Sequence, residues 1–198
     1  MKAVKSLAAT AGFVALLLAV YYVHVAFFKV DVVLYSAELD ALIAAAAAAA
    51  LLFGLRAFRV LNAFEKAQLA VIWALAGCIF AISVPAVIDR SLSLYILEKL
   101  QQRGGGIRLD RFEEVFTREY VKEHRLVDVR LTEQQASGTI VIENGCVKLT
   151  ERGWELARFG RFFRQHFLPK QRLLMGSYSD ALTDPFRNSQ PAPDYECR

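Results

Sequence analysis

The sequence predicts a mainly α-helical membrane protein in which three transmembrane helices precede a small α+β domain and an extended C-terminal tail. Three observations support this fold class. Apolar residues make up 55% of the 198-residue chain and are concentrated in its first half. Segments with helical and alternating apolar patterns follow. A proline-containing segment without periodicity ends the chain. We therefore expect a membrane anchor at 1–90, a folded domain at 91–175 and a tail at 176–198.

Two segments have the length and composition of membrane spans. Residues 7–28 and 67–88 contain no Lys, Arg, Asp or Glu, and at about 1.5 Å of rise per residue each covers the ~30 Å hydrocarbon core of a bilayer. Lys2 and Lys5 also allow the first segment to be a signal peptide. Bulky residues, among them Phe27 and Phe28, replace the small residues of a cleavage site, which favours a retained helix.

The middle span, at about 32–55, is less regular because it encloses Glu38 and Asp40. Either these carboxylates lie at the membrane interface, which we favour, or they are buried against a polar partner inside the membrane. The alanine run 44–50 has small side chains that let helix backbones approach closely. It therefore predicts tight packing against a neighbouring transmembrane helix.

The positive charges near the short loops predict an orientation. Five of them belong to the N-terminus and the second connection, whereas the first connection has Lys29 alone; the five are Lys2, Lys5, Arg56, Arg59 and Lys66. Because cytoplasmic loops carry excess Lys and Arg, the N-terminus is expected in the cytoplasm and the C-terminal domain outside. This predicts a multi-pass protein of a bacterial-type inner (plasma) membrane with a periplasmic domain.

The three cysteines add a second, open question about compartment. Cys78 lies in a span, Cys146 follows a hairpin turn and Cys197 is the penultimate residue. In an external domain Cys146 and Cys197 could pair, whereas in the cytoplasm both would stay reduced.

Five elements are predicted within residues 91–167: two helices, a third segment, a hairpin and a last helix. Periodic apolar residues indicate a helix at 91–102 and another beginning near Asp110, which is placed to cap it. Residues 124–137 fit either a strand or, preferably, a helix. In "GTIVIENGCVKLTERG" (138–153), Asn144-Gly145 predicts a hairpin turn that pairs Ile142 with Val147 and Ile140 with Leu149. Thr150 then caps a last helix ended by Pro169.

This order of helices and hairpin resembles the winged-helix fold, and the passage from Gly138 to Gly153 looks like the wing of MarR-type regulators. The resemblance implies a DNA-binding architecture over about 91–167. DNA-reading elements should carry unopposed basic residues. Here the third helix places Arg125 and Arg130 beside Glu123, Asp128 and Glu133, so nucleic acid is not the expected partner.

Basic and aromatic residues instead concentrate at the last helix and beyond it. The composition predicts contact with a lipid surface through Arg158, Arg161, Arg164, Lys170 and Arg172. Alternatively, the segment is a closing helix whose phenylalanines fill the domain core. The tail aromatics Tyr178, Phe186 and Tyr195 predict docking on a partner, against the alternative of a flexible end.

The sequence offers no catalytic site, metal site or cofactor-binding motif. Its three histidines lie on different predicted elements, and no nucleophile or metal-binding motif occurs. We therefore expect no enzyme and no cofactor. The expected function is that of an accessory subunit binding a larger integral membrane protein and membrane lipid. An enzyme of envelope glycans or lipid-linked sugars is one candidate for that membrane protein. The alternative is a membrane-tethered winged-helix transcription regulator.

Overall fold

The computed structural model describes residues 2–187 and 189. The chain forms two compact units that divide between His124 and Arg125. Residues 91–124 thus group with the membrane helices, although the sequence places a domain boundary after residue 90. Each unit is described by itself below.

Three helical stretches of the first unit are long and apolar enough to cross a membrane, which confirms the three predicted spans. They are α1 (Lys2–Phe27), α2 (Val33–Gly54) and α3 (Ala63–Ser83) with its continuation α4 (Pro85–Arg90). Asn62 caps α3 through a reciprocal capping box with Glu65. Pro85 begins α4, at the point where a missing N–H interrupts the helix. These helices fit a multi-pass membrane protein.

The alanine face of α2 lies inside this bundle, so the predicted close packing is confirmed. Ala41, Ala44 and Ala48 are buried. A Cβ added to Gly77 of α3 would lie only 2.9 Å from the Cβ of Ala41, which shows that small residues permit the approach of α2 and α3. The ring of Trp73 on α3 stacks on that of Phe13 on α1, with centroids 5.4 Å apart.

Asp40 is buried inside the bundle, against a polar side chain of α1. Only 2% of Asp40 is exposed, and its Oδ1 lies 2.7 Å from Nδ1 of His24 on α1. Glu38 is half-buried. The reason is helical geometry: Asp40 lies on the same face as Ala37, Ala41 and Ala44, the face that packs inward.

Beyond the spans, the first unit continues with α5 (Leu92–Gln102) and a second helical stretch made of three segments. These are α6 (Phe112–Glu114), a π-helical turn (Val115–Tyr120) and α7 (Val121–Glu123). Ser91 caps α5. The predicted Asp110 cap is wrong, because that carboxylate forms a two-point ion pair with Arg108 at 3.0 and 2.7 Å instead.

Lys99 joins α5 to the second helical stretch. Its side chain is 4% exposed, and its Nζ lies 2.7 Å from Glu119 and 2.6 Å from Glu123. The hydroxyl of Tyr95 donates a further hydrogen bond to Glu123. The hydrogen bonds from Lys99 hold the pKa of Glu119 and Glu123 below the usual carboxylate value, and the two carboxylates raise the pKa of Lys99.

The second unit contains the predicted helix and hairpin. Residues 126–136 form α8 (Leu126–Ala136), so the helical alternative for this segment is confirmed. Strands β1 (Ile140–Glu143) and β2 (Cys146–Leu149) pair in the predicted register, with Ile142 opposite Val147 and Ile140 opposite Leu149. Both residues of the turn, Asn144 and Gly145, have positive φ angles of 53° and 76°, as a type I′ turn requires.

The last helix, α9 (Glu151–Phe167), begins at the predicted cap, where Thr150 Oγ1 accepts a hydrogen bond of 3.1 Å from the Gly153 amide. A second hairpin then follows, formed by β3 (Arg172–Leu174) and β4 (Ser177–Ser179). The sequence did not predict this hairpin, which extends across the expected boundary between domain and tail.

Gly153 sets how closely α9 approaches the first hairpin, and this generates a stability prediction. A Cβ at this position would lie 2.1 Å from the carbonyl oxygen of Thr139, which is backbone and cannot turn aside. We expect Gly153→Ala to cost about 1–3 kcal/mol and to speed amide exchange in β1 and β2 by roughly tenfold or more.

Gly160→Ala is the matched control, because it lies in the same helix with nothing within 4 Å of its added Cβ. This change should stabilise α9 slightly through helix propensity. Hydrogen–deuterium exchange on the full chain in lipid nanodiscs measures both variants. Equal exchange in the two would contradict the packing at Gly153.

The ion pairs of Lys99 with Glu119 and Glu123 predict that the stability of the fold depends on pH. Lowered carboxylate pKa values stabilise the fold above the unfolded value of 4.5, and this contribution is lost as pH falls through the folded values. The unfolding temperature of the detergent-solubilised chain, followed by circular dichroism, should stay level from pH 8 to about 5.5 and drop below about 4.5. Lys99→Met should lower it at neutral pH and flatten the acid decline. Lys122→Met, at an exposed position, should change neither; a flat wild-type profile would refute this assignment.

Candidate docking surface

One side of α9 presents a continuous apolar stripe to the surroundings. Leu156, Phe159, Phe163 and Phe167 recur at helical spacing and are 55%, 59%, 42% and 65% exposed. The rings form a row, with centroids 6.0 Å apart between Phe159 and Phe163 and 5.3 Å apart between Phe163 and Phe167. Gly153 is the one residue of α9 that is buried. The phenylalanines of this stripe are therefore exposed and do not fill the interior of the second unit.

The remaining faces of α9 mix arginines with further aromatic residues. At 100° per residue, Arg158, Arg161 and Arg164 lie off the stripe. Trp154 and Phe162 lie among them and are 60% and 50% exposed. Exposed aromatic side chains therefore occur on both sides of the helix, with Trp154 nearly opposite the centre of the stripe.

The five basic residues singled out in the sequence lie at α9 and just after it. Arg158, Arg161 and Lys170 are exposed, and Arg164 and Arg172 are half-buried. Within residues 2–187 and 189, none of the five forms an ion pair, whereas basic residues elsewhere in this unit do. Those pairs are Arg125–Asp128 at 2.8 Å, Arg130–Glu133 at 2.8 Å, Lys148–Glu143 at 3.8 Å and Arg187–Asp180 at 2.7 Å. The unopposed positive charge of the second unit is thus concentrated here.

The described part of the tail returns to the basic end of α9. The Phe186 ring centroid lies 6.0 Å from the guanidinium carbon of Arg164. The Thr183 hydroxyl donates a 2.9 Å hydrogen bond to the carbonyl of Lys170. Arg187 closes the segment through hydrogen bonds to Asp180, which lower the pKa of that carboxyl group. Phe186 nevertheless remains 66% exposed.

The three predicted partner-binding aromatics are therefore distributed over different features. Phe186 lies beside Arg164, whereas Tyr178 lies on β4, opposite Leu173 of β3, with 72% of its surface exposed. Tyr195 lies outside the described residues. Trp154 and the second hairpin were not predicted. The signal for the hairpin was Met175-Gly176 after the apolar pair Leu173-Leu174, and both Met175 and Gly176 have positive φ angles.

The cysteines differ in state. Cys146 is disulfide-bonded and Cys78 is free, while Cys197 lies outside the described residues.

The described residues contain no group of three or more His, Cys, Asp or Glu side chains able to hold a metal ion. A cavity of about 280 Å³ beside Tyr95, Lys99 and Glu123 belongs to the ion cluster, whose charges are already paired with one another.

No family model, characterised protein or solved structure matches this chain. The geometry of its own residues therefore has to carry the functional argument.

Proposed function

We propose that this protein is a non-catalytic accessory subunit of a membrane complex, and that the surface of α9 docks on a larger integral membrane protein. The observation that most directly supports this proposal is the exposed row of Phe159, Phe163 and Phe167, which lies beside arginines without acidic partners. A phenylalanine side chain presents ~150–250 Å², so the stripe reaches the few hundred Å² of the largest apolar patches on monomeric proteins. Patches of this size mark interaction sites.

The distribution of the aromatic residues favours a protein over a lipid surface as the occupant. A membrane plane covers one side of a helix, and an interfacial helix keeps its other side polar. Covering the stripe of α9 with lipid would leave Trp154 and Phe162 in water. A protein groove can cover both sides, and phenylalanine, tryptophan and arginine are the residues enriched at protein interfaces.

Two observations favour the accessory subunit over a membrane-tethered transcription regulator. On α8 and the hairpin, Arg125, Arg130 and Lys148 each have an acidic neighbour, which leaves little free positive charge for phosphates. Cys146 is disulfide-bonded, and such bonds persist in oxidising compartments. Both support a domain on the outer side of the membrane, away from DNA. The winged-helix resemblance stays a prediction about architecture.

The docking role predicts that polar substitutions on the stripe release the partner. Purification of the full chain in mild detergent should bring down one membrane protein in fixed stoichiometry. Phe159→Ser combined with Phe163→Ser should reduce its recovery at least tenfold, because each buried aromatic anchor is worth about 2 kcal/mol or more.

Leu109→Ser combined with Val127→Ser is the control, since both positions are exposed and apolar but lie outside α9. Amide exchange in β1 and β2 shows whether the stripe variant is folded. A wild-type chain that purifies alone, or equal recovery from stripe and control variants, would sink the proposal.

The predicted topology has its own test. Alkaline phosphatase fused to the C-terminus should be active, because that enzyme needs an oxidising compartment for its disulfides, and a fluorescent cytoplasmic reporter fused there should be dark. The reversed pattern would place the domain in the cytoplasm. That result would favour a membrane-tethered transcription regulator, and salt-dependent DNA binding would test this alternative.

A further inference from the structure

The membrane bundle contains one polar site that is left incomplete. Helices α1 and α2 border a groove of about 430 Å³ whose lining is apolar except for His24 and Asp40. The pair uses one ring nitrogen and one carboxylate oxygen, joined at 2.7 Å. Asp40 Oδ2 is buried without a hydrogen-bond partner among the described residues. His24 Nε2 also makes no hydrogen bond with any of them.

The two members of the pair have different access to the groove. The Asp40 side chain is 2% exposed, whereas 21% of the His24 side chain is exposed. The buried carboxylate of Asp40 therefore binds one ring nitrogen of His24 and fixes the imidazole in place. The second ring nitrogen, Nε2, is left free for another group. This arrangement of carboxylate and histidine fixes ring orientation and tautomer in many sites.

Leaving these polar atoms unsatisfied is costly inside a membrane. A buried acceptor without a partner, such as Asp40 Oδ2, destabilises the fold, and the hydrocarbon core offers no water to replace the partner. His24 lies three residues before the end of α1, and Asp40 lies seven residues after the start of α2. At ~1.5 Å per residue, both lie roughly 5–10 Å inside the helix ends.

We propose that this groove receives a transmembrane helix of the partner, and that a Ser, Thr, Asn or Gln side chain on that helix hydrogen-bonds to His24 Nε2. The inference rests on the proposed function and names the site at which the partner is held within the membrane. His24 makes the contact, and Asp40 is a positioning residue.

The lining of the groove fits such an occupant. Val20 and Val23 are three residues apart on α1, and Leu39 and Ile43 are four apart on α2. They form two short apolar ridges between which a helix can pack. The incoming surface must therefore be apolar apart from one polar group, and hydrogen bonds between polar side chains of neighbouring helices stabilise helix association in membranes. An acyl chain would leave Nε2 unsatisfied.

Photo-crosslinking in native membranes tests this site. A benzoylphenylalanine replaces Leu39, which lines the groove and is 53% exposed, or Ile79 of α3, which is 66% exposed and serves as the control. The Leu39 probe should form an adduct that mass spectrometry maps to a transmembrane peptide of the co-purifying partner, beside a polar residue. The Ile79 probe should yield lipid adducts.

Substitutions of the pair separate docking from mere stability of the bundle. His24→Phe should lower the protein adduct at least fivefold, and His24→Gln, which keeps a hydrogen-bonding group, should restore most of it. Asp40→Asn should lower it less than His24→Phe. Gel filtration and unfolding temperature establish that each variant is folded.

The outcomes that overturn the inference are distinct from those that overturn the proposed function. Lipid adducts alone at Leu39, an adduct to a second copy of this chain, or a protein adduct unaffected by His24→Phe would each refute the groove site. If the partner still co-purifies through Phe159 and Phe163, the proposed function survives that refutation. If no partner co-purifies and no protein adduct forms, both fail together.

Discussion

The second unit is constrained by its inability to bury its own apolar surface. Helix α9 is fixed against the first hairpin at Gly153, where any side chain would collide with the Thr139 carbonyl. C-terminal to this contact, the rings of Phe159, Phe163 and Phe167 are exposed. Small domains are marginally stable because they bury little surface, so these exposed rings are apolar area that does not contribute to the core of the unit.

The membrane bundle, in contrast, is held together by close contacts between its own helices. Gly77 and Ala41 allow two helices to touch, Trp73 stacks on Phe13, and the Trp73 indole donates a hydrogen bond of 3.1 Å to Thr10. The His24–Asp40 pair differs from these contacts, because the Oδ2 atom of Asp40 is buried without a hydrogen-bond partner among the described residues.

Local signals in the sequence predicted local structure well. The three uncharged or nearly uncharged runs, the Asn144-Gly145 turn and the Thr150 cap depend on neighbouring residues, and the structure contains each of them. The burial of Lys99 could not be predicted in this way, because its partners lie 20 and 24 residues further along the chain. No signal in the sequence predicted the π-helical turn between Val115 and Tyr120, whose last residue packs on Tyr95 with ring centroids 4.6 Å apart.

The candidate sites show the same limit of sequence patterns. Periodicity in α9 correctly indicated an apolar stripe but not whether the domain itself or another molecule covers it. Hydropathy located Asp40 in a span, yet only the packing of α1 against α2 shows that His24 lies beside it. Side chains that are distant in sequence meet through tertiary structure, which no pattern within one element specifies.

Under the proposed function, a protein covers the α9 stripe in the native membrane. The cysteine of a Phe163→Cys variant can be labelled with a maleimide in native membrane vesicles and in the purified chain reconstituted into lipid nanodiscs, with Val127→Cys as the exposed control. Labelling at position 163 should be at least about tenfold slower in the native vesicles, whereas the rates at position 127 should be equal. Equal rates at position 163 in the two preparations would show that no protein covers the stripe.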